Sequence, residues 1–208
     1  MTKQSKIFMK SEGDNWFKRN RNANFGKDYP LMEIEKIIKN FKEKKKVNIL
    51  EIGCSQGKRL SELQKKYKCN CFGVEPSYLA IKNKINNKVN IKRGTAEKLD
   101  FPKKKFDIIF FGFCLYVVDV NDLFLVASEA NRVLKDNGYI IIWDFDSKLP
   151  KRTSYKHDKQ ILTFKFEFVK IFLWSPLFKL LRTKKYKLLK KNNFNLRIDS
   201  MKKTSKIK

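Results

Sequence analysis

Between Val47 and Phe145, short apolar runs alternate with longer stretches of helical periodicity. The first run, Val47, Ile49, Leu50 and Ile52, is nearly continuous, the pattern of a parallel strand covered on both faces. Glu51 interrupts it, and a carboxylate there is costly to bury without a partner, so it reads as held for binding. Gly53 and Gly57 then allow positive φ or close backbone approach. The helix predicted from about Lys58 to Tyr67 has free amide groups at its start, which suit a carboxylate or a phosphate.

The second predicted strand, Cys69 to Glu75, also ends in a carboxylate. Pro76 and Ser77 supply a strand stop and a helix cap, with Leu79, Ile81 and Ile85 available to pack the helix that follows. A third strand, Val89 to Lys92, leads into Gly94-Thr95-Ala96-Glu97, and a fourth, Phe106 to Phe111, into Gly112-Phe113-Cys114-Leu115-Tyr116. A helix near Asn121 to Leu134 exits through the charged turn Lys135-Asp136-Asn137-Gly138 into a fifth strand, Tyr139 to Phe145. This order predicts an α/β fold, a doubly wound, mostly parallel, Rossmann-like sheet. Its ligand crevice falls at the carboxyl ends of strands one and four.

Spacing narrows the ligand. A dinucleotide fingerprint requires three glycines as G-x-G-x-x-G, whereas this chain has Glu51-x-Gly53-x-Ser55-x-Gly57. That arrangement resembles the first motif of class I S-adenosylmethionine-dependent methyltransferases, acidic-x-Gly-x-Gly-x-Gly, with Ser55 at the middle glycine. Glu75 follows the loop by about 20 residues, the spacing at which a strand-end carboxylate accepts hydrogen bonds from ribose hydroxyls. Thr95 stands where the family commonly carries an Asp near the adenine, which leaves that contact to the backbone or to Glu97. Arg132 to Tyr139 resembles the family's entry to strand five. The resemblance runs from about Lys46 to Asp146. It implies a seven-stranded sheet closed by an antiparallel C-terminal strand pair, and S-adenosyl-L-methionine as cofactor. Glu51, Gly53, Cys54, Ser55 and Gly57 would lie at its methionine end, Glu75 and Pro76 at the ribose, Thr95, Ala96 and Glu97 at the adenine, and Gly112 and Phe113 beside the reactive methyl.

The flanks carry weaker signals. Pro30 to Phe41 reads as a helix with Leu31, Ile34, Ile37, Ile38 and Phe41 on one stripe, covering the sheet. Residues 1–29 are expected as a lid-like segment ahead of a methyltransferase domain over 30–208. Within it, Glu12 to Asn20 resembles the N-terminal stretch of bacterial type-11-like methyltransferases often associated with surface-sugar modification. That likeness implies Trp16, Phe17, Arg19 and Asn20 facing the acceptor; the plainer reading packs Trp16 and Phe17 on the domain. After strand five, Ile161 to Phe168 and Phe194 to Met201 are expected as the final antiparallel pair. The stretch between, near 169–189, is read as a helical insertion, a hairpin on the sheet, with a pocket wall or peripheral membrane contact as the alternatives. Ser175-Pro176 interrupts it, so it falls short of a membrane span.

Composition adds bounds. A chain of 208 residues buries one α/β core, and no Pro/Gly/Ser-rich linker or repeat argues for a second. Its polar, lysine-rich start without an apolar h-region is the expectation for a cytoplasmic protein. Cys54, Cys69, Cys71 and Cys114 read as buried thiols, since nothing completes a metal set around Cys69-x-Cys71. The net charge of +27, from 48 basic and 21 acidic residues, would attract nucleic acid. The excess, however, is mostly lysine spread from Lys3 to Lys208 with abundant Asn, Ile and Phe, which looks like the codon bias of an AT-rich genome. After strand four there is neither the Pro-Pro-aromatic motif of base-amine methyltransferases nor the Pro-Cys of cytosine-carbon enzymes. The candidates for catalytic roles are Tyr116, as partner of an acceptor hydroxyl, and His157, as a general base. The sequence thus reads as an enzyme transferring a methyl group to oxygen or nitrogen of a small-molecule or sugar-derived acceptor. An RNA methyltransferase and a non-catalytic cofactor-binding partner protein are the alternatives.

Overall fold

The computed structural model describes residues 2–23, 28–41, 46–187 and 195–205. Helix α1 (Lys3–Ile7), a π-helical turn (Phe8–Glu12) and α2 (Gly13–Asn20) precede α3 (Tyr29–Ile38). The core follows as β1 (Asn48–Ile52), α4 (Lys58–Tyr67), β2 (Asn70–Glu75), α5 (Tyr78–Lys82), β3 (Asn90–Arg93), β4 (Phe106–Gly112), α6 (Leu123–Val133) and β5 (Leu134–Phe145). Strands β6 (Lys151–Tyr155) and β7 (Asp158–Lys165), the short helix α7 (Lys170–Leu173), β8 (Phe178–Lys187) and β9 (Asn195–Lys203) complete it.

Seven strands form one sheet in the order β3-β2-β1-β4-β5-β9-β8, and β6 and β7 form a separate two-stranded hairpin. The five strands from β3 to β5 run parallel, while β9 is antiparallel to β5 and β8 antiparallel to β9. This is a doubly wound, mostly parallel, Rossmann-like sheet.

The period of two along each strand divides its side chains between two cores. Leu50 and Ile52 of β1 with Phe106, Ile109 and Phe111 of β4 face α6 and α7. Ile49, Ile108 and Phe110 face α3 and α4 instead, packing with Ile34, Ile37, Leu60 and Leu63. Because both faces are covered, β1 and β4 read as continuous apolar runs, and their polar exceptions are paired or lie at the site. Asp107, buried in β4, accepts from the Asn48 amide at 2.9 Å and pairs with Lys135 at 2.9 Å.

The C-terminal third departs from expectation. Ile161 to Phe168 does not pair with the last strand; its larger part is β7, zipped to β6 across the tight turn at Lys156-His157. Within 169–189 the helix stops at Leu173, and the chain turns at Ser175-Pro176 into β8, which pairs with β9 from Phe178 to Lys187. The basic residues that suggested the polar side of a helix line a sheet edge, where lysine discourages further strand addition. Ile85 lies beyond the end of α5 and is half exposed rather than packing that helix.

Candidate cofactor and acceptor site

The loop after β1 bends sharply. Gly53 (φ 75°), Ser55 (φ 50°) and Gly57 (φ 71°) are all left-handed. A Cβ on Gly53 would lie 2.8 Å from Cys114 Cβ, so glycine is required there by both conformation and space. The Cys54 thiol packs down onto β2, where a Cβ on Gly73 would lie 2.4 Å from its Sγ, and burial pushes it well above the ordinary thiol range. Of the loop's residues, Cys54 therefore offers its backbone rather than its side chain.

Glu75 closes this loop from the end of β2. Its Oε2 accepts from the Ser55 amide at 2.8 Å and its Oε1 from the Ser77 amide at 3.0 Å. Burial raises the carboxyl to about 7, against these two amide bonds. Each oxygen keeps a second acceptor site, as two adjacent hydroxyls require. Pro76 contributes its carbonyl to Arg93 Nε at 3.2 Å, fixing the strand exit.

Glu51 lies against Gly112, where an added Cβ would come 3.1 Å from Oε1, so its carboxylate occupies the crevice between the ends of β1 and β4. Oε1 accepts from Arg59, whereas Oε2 is buried without a hydrogen-bond partner among the described residues. Burial raises this carboxyl to about 7 against the pull of Arg59. Arg59 in turn donates to both oxygens of Asp28 at 3.1 Å and lies 4.7 Å above the Phe110 ring. The sequence reading missed Arg59 and Asp28: one cationic side chain in a lysine-rich helix carries no local mark. Its place in the first turn after the glycine loop was the available signal.

The Thr95-Ala96-Glu97 loop follows β3, pinned by a bridge from Thr95 to Lys98. Arg132 braces its far side by donating to the Leu99 and Phe101 carbonyls, each at 2.7 Å. Ala96 and Glu97 are buried, and Glu97 Oε1 is a second buried acceptor without a partner among the described residues.

Beyond β4, Phe113 is itself left-handed (φ 57°), held by its amide bond to the Trp143 carbonyl at 2.9 Å. Its ring meets Tyr116 and Phe145 at centroid distances of 5.0 and 4.8 Å, and the Lys165 ammonium lies 4.3 Å from the Phe145 ring. Asp144 organises this wall from beneath: buried in β5, it accepts from the Leu115 and Tyr116 amides at 3.0 and 3.3 Å. Burial raises it to about 7 despite those bonds. Asp144 too escaped the sequence reading, because an acid near a strand end looks the same whether it faces a ligand or the backbone. Tyr116 is largely enclosed, and burial raises its hydroxyl well above the ordinary phenol range against the pull of the neighbouring Trp16 side chain.

The N-terminal helices cross the strand ends. Gln4 bonds the Leu162 carbonyl and amide at 2.9 and 3.0 Å, and Thr2 bonds Asp122 at 2.8 Å. Farther along, Asp14 accepts from Ser77 Oγ at 2.7 Å and from the Leu79 amide at 3.0 Å. Gly13 permits this approach, since a Cβ there would lie 3.0 Å from the Ser77 nitrogen. Of the four expected acceptor-facing residues, Trp16 reaches Tyr116, and Arg19 joins Glu12 and, at 3.3 Å, the Tyr155 hydroxyl. Phe17 is buried, and Asn20 bonds back to the Trp16 carbonyl at 2.8 Å. His157 is exposed on the β6–β7 turn, its ring 5.4 Å from that of Tyr155. Among the described residues no cluster of His, Cys, Asp or Glu suits a metal ion.

Residues 50–142 match the model of a family described as a methyltransferase domain. That stretch of the chain is similar to a methyltransferase domain. A Dictyostelium discoideum protein provisionally named as a methyltransferase is 29% identical over 148 residues, covering 69% of this chain and 53% of that protein. The chain spans about half the length of the curated relatives it matches, 44% and 53%. A solved S-adenosylmethionine-dependent methyltransferase from Methanosarcina mazei has a TM-score of 0.66 at 20% identity, covering 81% of this chain and 97% of that one. The Burkholderia thailandensis 1,6-didemethyltoxoflavin-N1-methyltransferase, solved with its substrate and S-adenosylhomocysteine, has a TM-score of 0.75 at 14% identity, covering 96% and 89%. At such identities the likeness carries the fold. No helix among the described residues is long and apolar enough to cross a membrane.

Proposed function

We propose that this chain is a methyltransferase that binds S-adenosyl-L-methionine in the crevice at the ends of β1, β2 and β4 and methylates an oxygen or nitrogen of a small-molecule or sugar-derived acceptor. One observation carries the reading: the buried Glu51 carboxylate, whose Oε2 lacks a partner beside a left-handed glycine loop. A buried acceptor left unpaired costs about 1–3 kcal/mol, so its retention at a strand end fits a ligand that supplies the missing donor. Glu75 supplies the acceptors for a ribose. Thr95 and Glu97, flanking Ala96, suit the edge of a base; Gly112 keeps the crevice open above Glu51. The bound cofactor would bring a sulfonium methyl whose departure leaves a neutral thioether, so the protein's share of the chemistry is positioning.

On the acceptor side, Trp16 and Tyr116 offer a hydroxyl–indole pair against the wall of Phe113 and Phe145. The raised Tyr116 keeps its proton and orients an acceptor rather than deprotonating it. Phe17, Arg19 and Asn20 hold Trp16 and its helix, and residues 1–29 act as the lid. His157, exposed on its turn, is assigned no step. Incubation with methyl-labelled S-adenosylmethionine and fractionated cell extract tests the reading. Label in small metabolites or glycans supports it; label predominantly in RNA overturns the acceptor class, and failure to bind S-adenosylhomocysteine overturns the cofactor.

A further inference from the structure

The β6–β7 hairpin turns one face to the aromatic wall beyond β4. Its register pairs Lys151 with Lys165 and Thr153 with Thr163, so these four share a face, and the two threonine hydroxyls lie 2.6 Å apart. Period-two alternation puts the fully buried Ile161 on that face, while Phe164 points the other way and packs on the core of α6 and α7. Lys165 thereby brings its ammonium 4.3 Å from the Phe145 ring, and Phe145 meets Phe113 and Tyr116 at 4.8 and 5.1 Å. A half-buried cation stands at the rim of a three-ring wall.

Two features set this cation apart from the many lysines of the surface. Like charges directly opposite on a hairpin are destabilising, yet its register partner is Lys151. Burial, and then Lys151, lowers its ammonium from the ordinary lysine value, a cost that an enclosed anion offsets. Asp144, the buried acid of the same wall, directs both oxygens to backbone amides: Oδ1 to Phe145 at 2.8 Å, Oδ2 to Leu115 and Tyr116 at 3.0 and 3.3 Å.

We infer that the methyl acceptor carries a carboxylate, held by Lys165, with its body against Phe113, Tyr116 and Phe145; the inference rests on the methyl-transfer reading above and narrows its acceptor class. One enclosed ammonium with a buried acid nearby suits a single negative charge better than a dianion. The lysine stem lies along the ring while its head meets the acid, so one side chain serves both the apolar and the charged part of the acceptor.

The test is calorimetry on the full chain saturated with S-adenosylhomocysteine, at about 150 mM salt to screen the field of the +27 charge. Two pairs of probes are compared, 4-hydroxybenzoate with 4-hydroxybenzamide and glucuronate with glucuronamide. The acid of at least one pair should bind about tenfold more tightly than its amide, as for a charge-assisted hydrogen bond, and the pair that does so tells an aromatic acceptor from a sugar-derived one. Lys165→Gln should abolish the preference and Lys165→Arg should keep it. If the glutamine variant does not fold, Lys165→Met, which retains an apolar stem on the Phe145 ring, carries the same comparison. No preference for the acid in either pair by the native chain overturns the inference, as does a folded, uncharged variant that keeps the preference. Failure of the native chain to bind S-adenosylhomocysteine overturns the cofactor reading itself, a separable result.

Discussion

Single carboxyl groups set the pH response of this site. Glu51 and Glu75 are both raised to about 7 by burial, from ordinary values near 4.5. Without ligand, the native state therefore holds protons that the unfolded chain releases. Stability contributed by these groups is full below about 4.5 and declines as pH rises toward 7. Ligand binding has the opposite sign, since an ammonium and ribose hydroxyls need the ionised carboxylates. Affinity for S-adenosylhomocysteine should fall as pH drops from 8 to 6, by up to about tenfold per unit for each group, and Glu51→Gln/Glu75→Gln should flatten the profile in calorimetric titrations. At the acceptor end, Tyr116→Phe removes the hydroxyl that neighbours the Trp16 side chain. It should lower kcat/KM about tenfold with cofactor affinity unchanged, whereas His157→Ala should leave both within about threefold. Equal losses in the two variants would return a base role to His157.

At the scale of elements, the glycine loop and the N-terminal helices are the places where backbone geometry is committed. Gly53→Ala combines positive φ with a 2.8 Å approach to Cys114 Cβ and should destabilise by about 1–3 kcal/mol in thermal melts. Asp14 satisfies the Leu79 amide in the first turn of α5, so Asp14→Ala removes a cap as well as a tether. It should cost about 1 kcal/mol and speed proteolysis of residues 2–23, leaving the sheet's protection unchanged. The element that misled the sequence reading is β8. Its apolar start and run of cations satisfy a basic amphipathic helix as well as an edge strand, and only the open edge of β9 chooses between them.

At the scale of the whole molecule, the charge of +27 is a field more than a site. Self-repulsion among like charges destabilises the compact state and is screened by salt. Raising ionic strength from 20 to 150 mM should increase Tm by roughly a few degrees. Binding to single-stranded nucleic acid should fall steeply over the same range, without methyl incorporation. Retention of tight RNA binding at the higher salt would argue instead for a built nucleic-acid surface.

The sequence by itself determined what depends on short spans of chain: strands separated by helices, glycines at a strand exit, and Glu75 a fixed distance beyond them. Those features are local because burial on two faces and left-handed turns constrain residue type position by position. Only the tertiary structure decided which groups meet. Asp28 reaches Arg59 and Glu51 from another element, Trp16 reaches Tyr116 from the far end of the chain, Asp144 turns inward to the backbone, and β8 rather than Ile161–Phe168 closes the sheet. Such pairings are set by packing and charge in three dimensions, and a lysine-rich chain offers too many equivalent partners for spacing alone to choose among them.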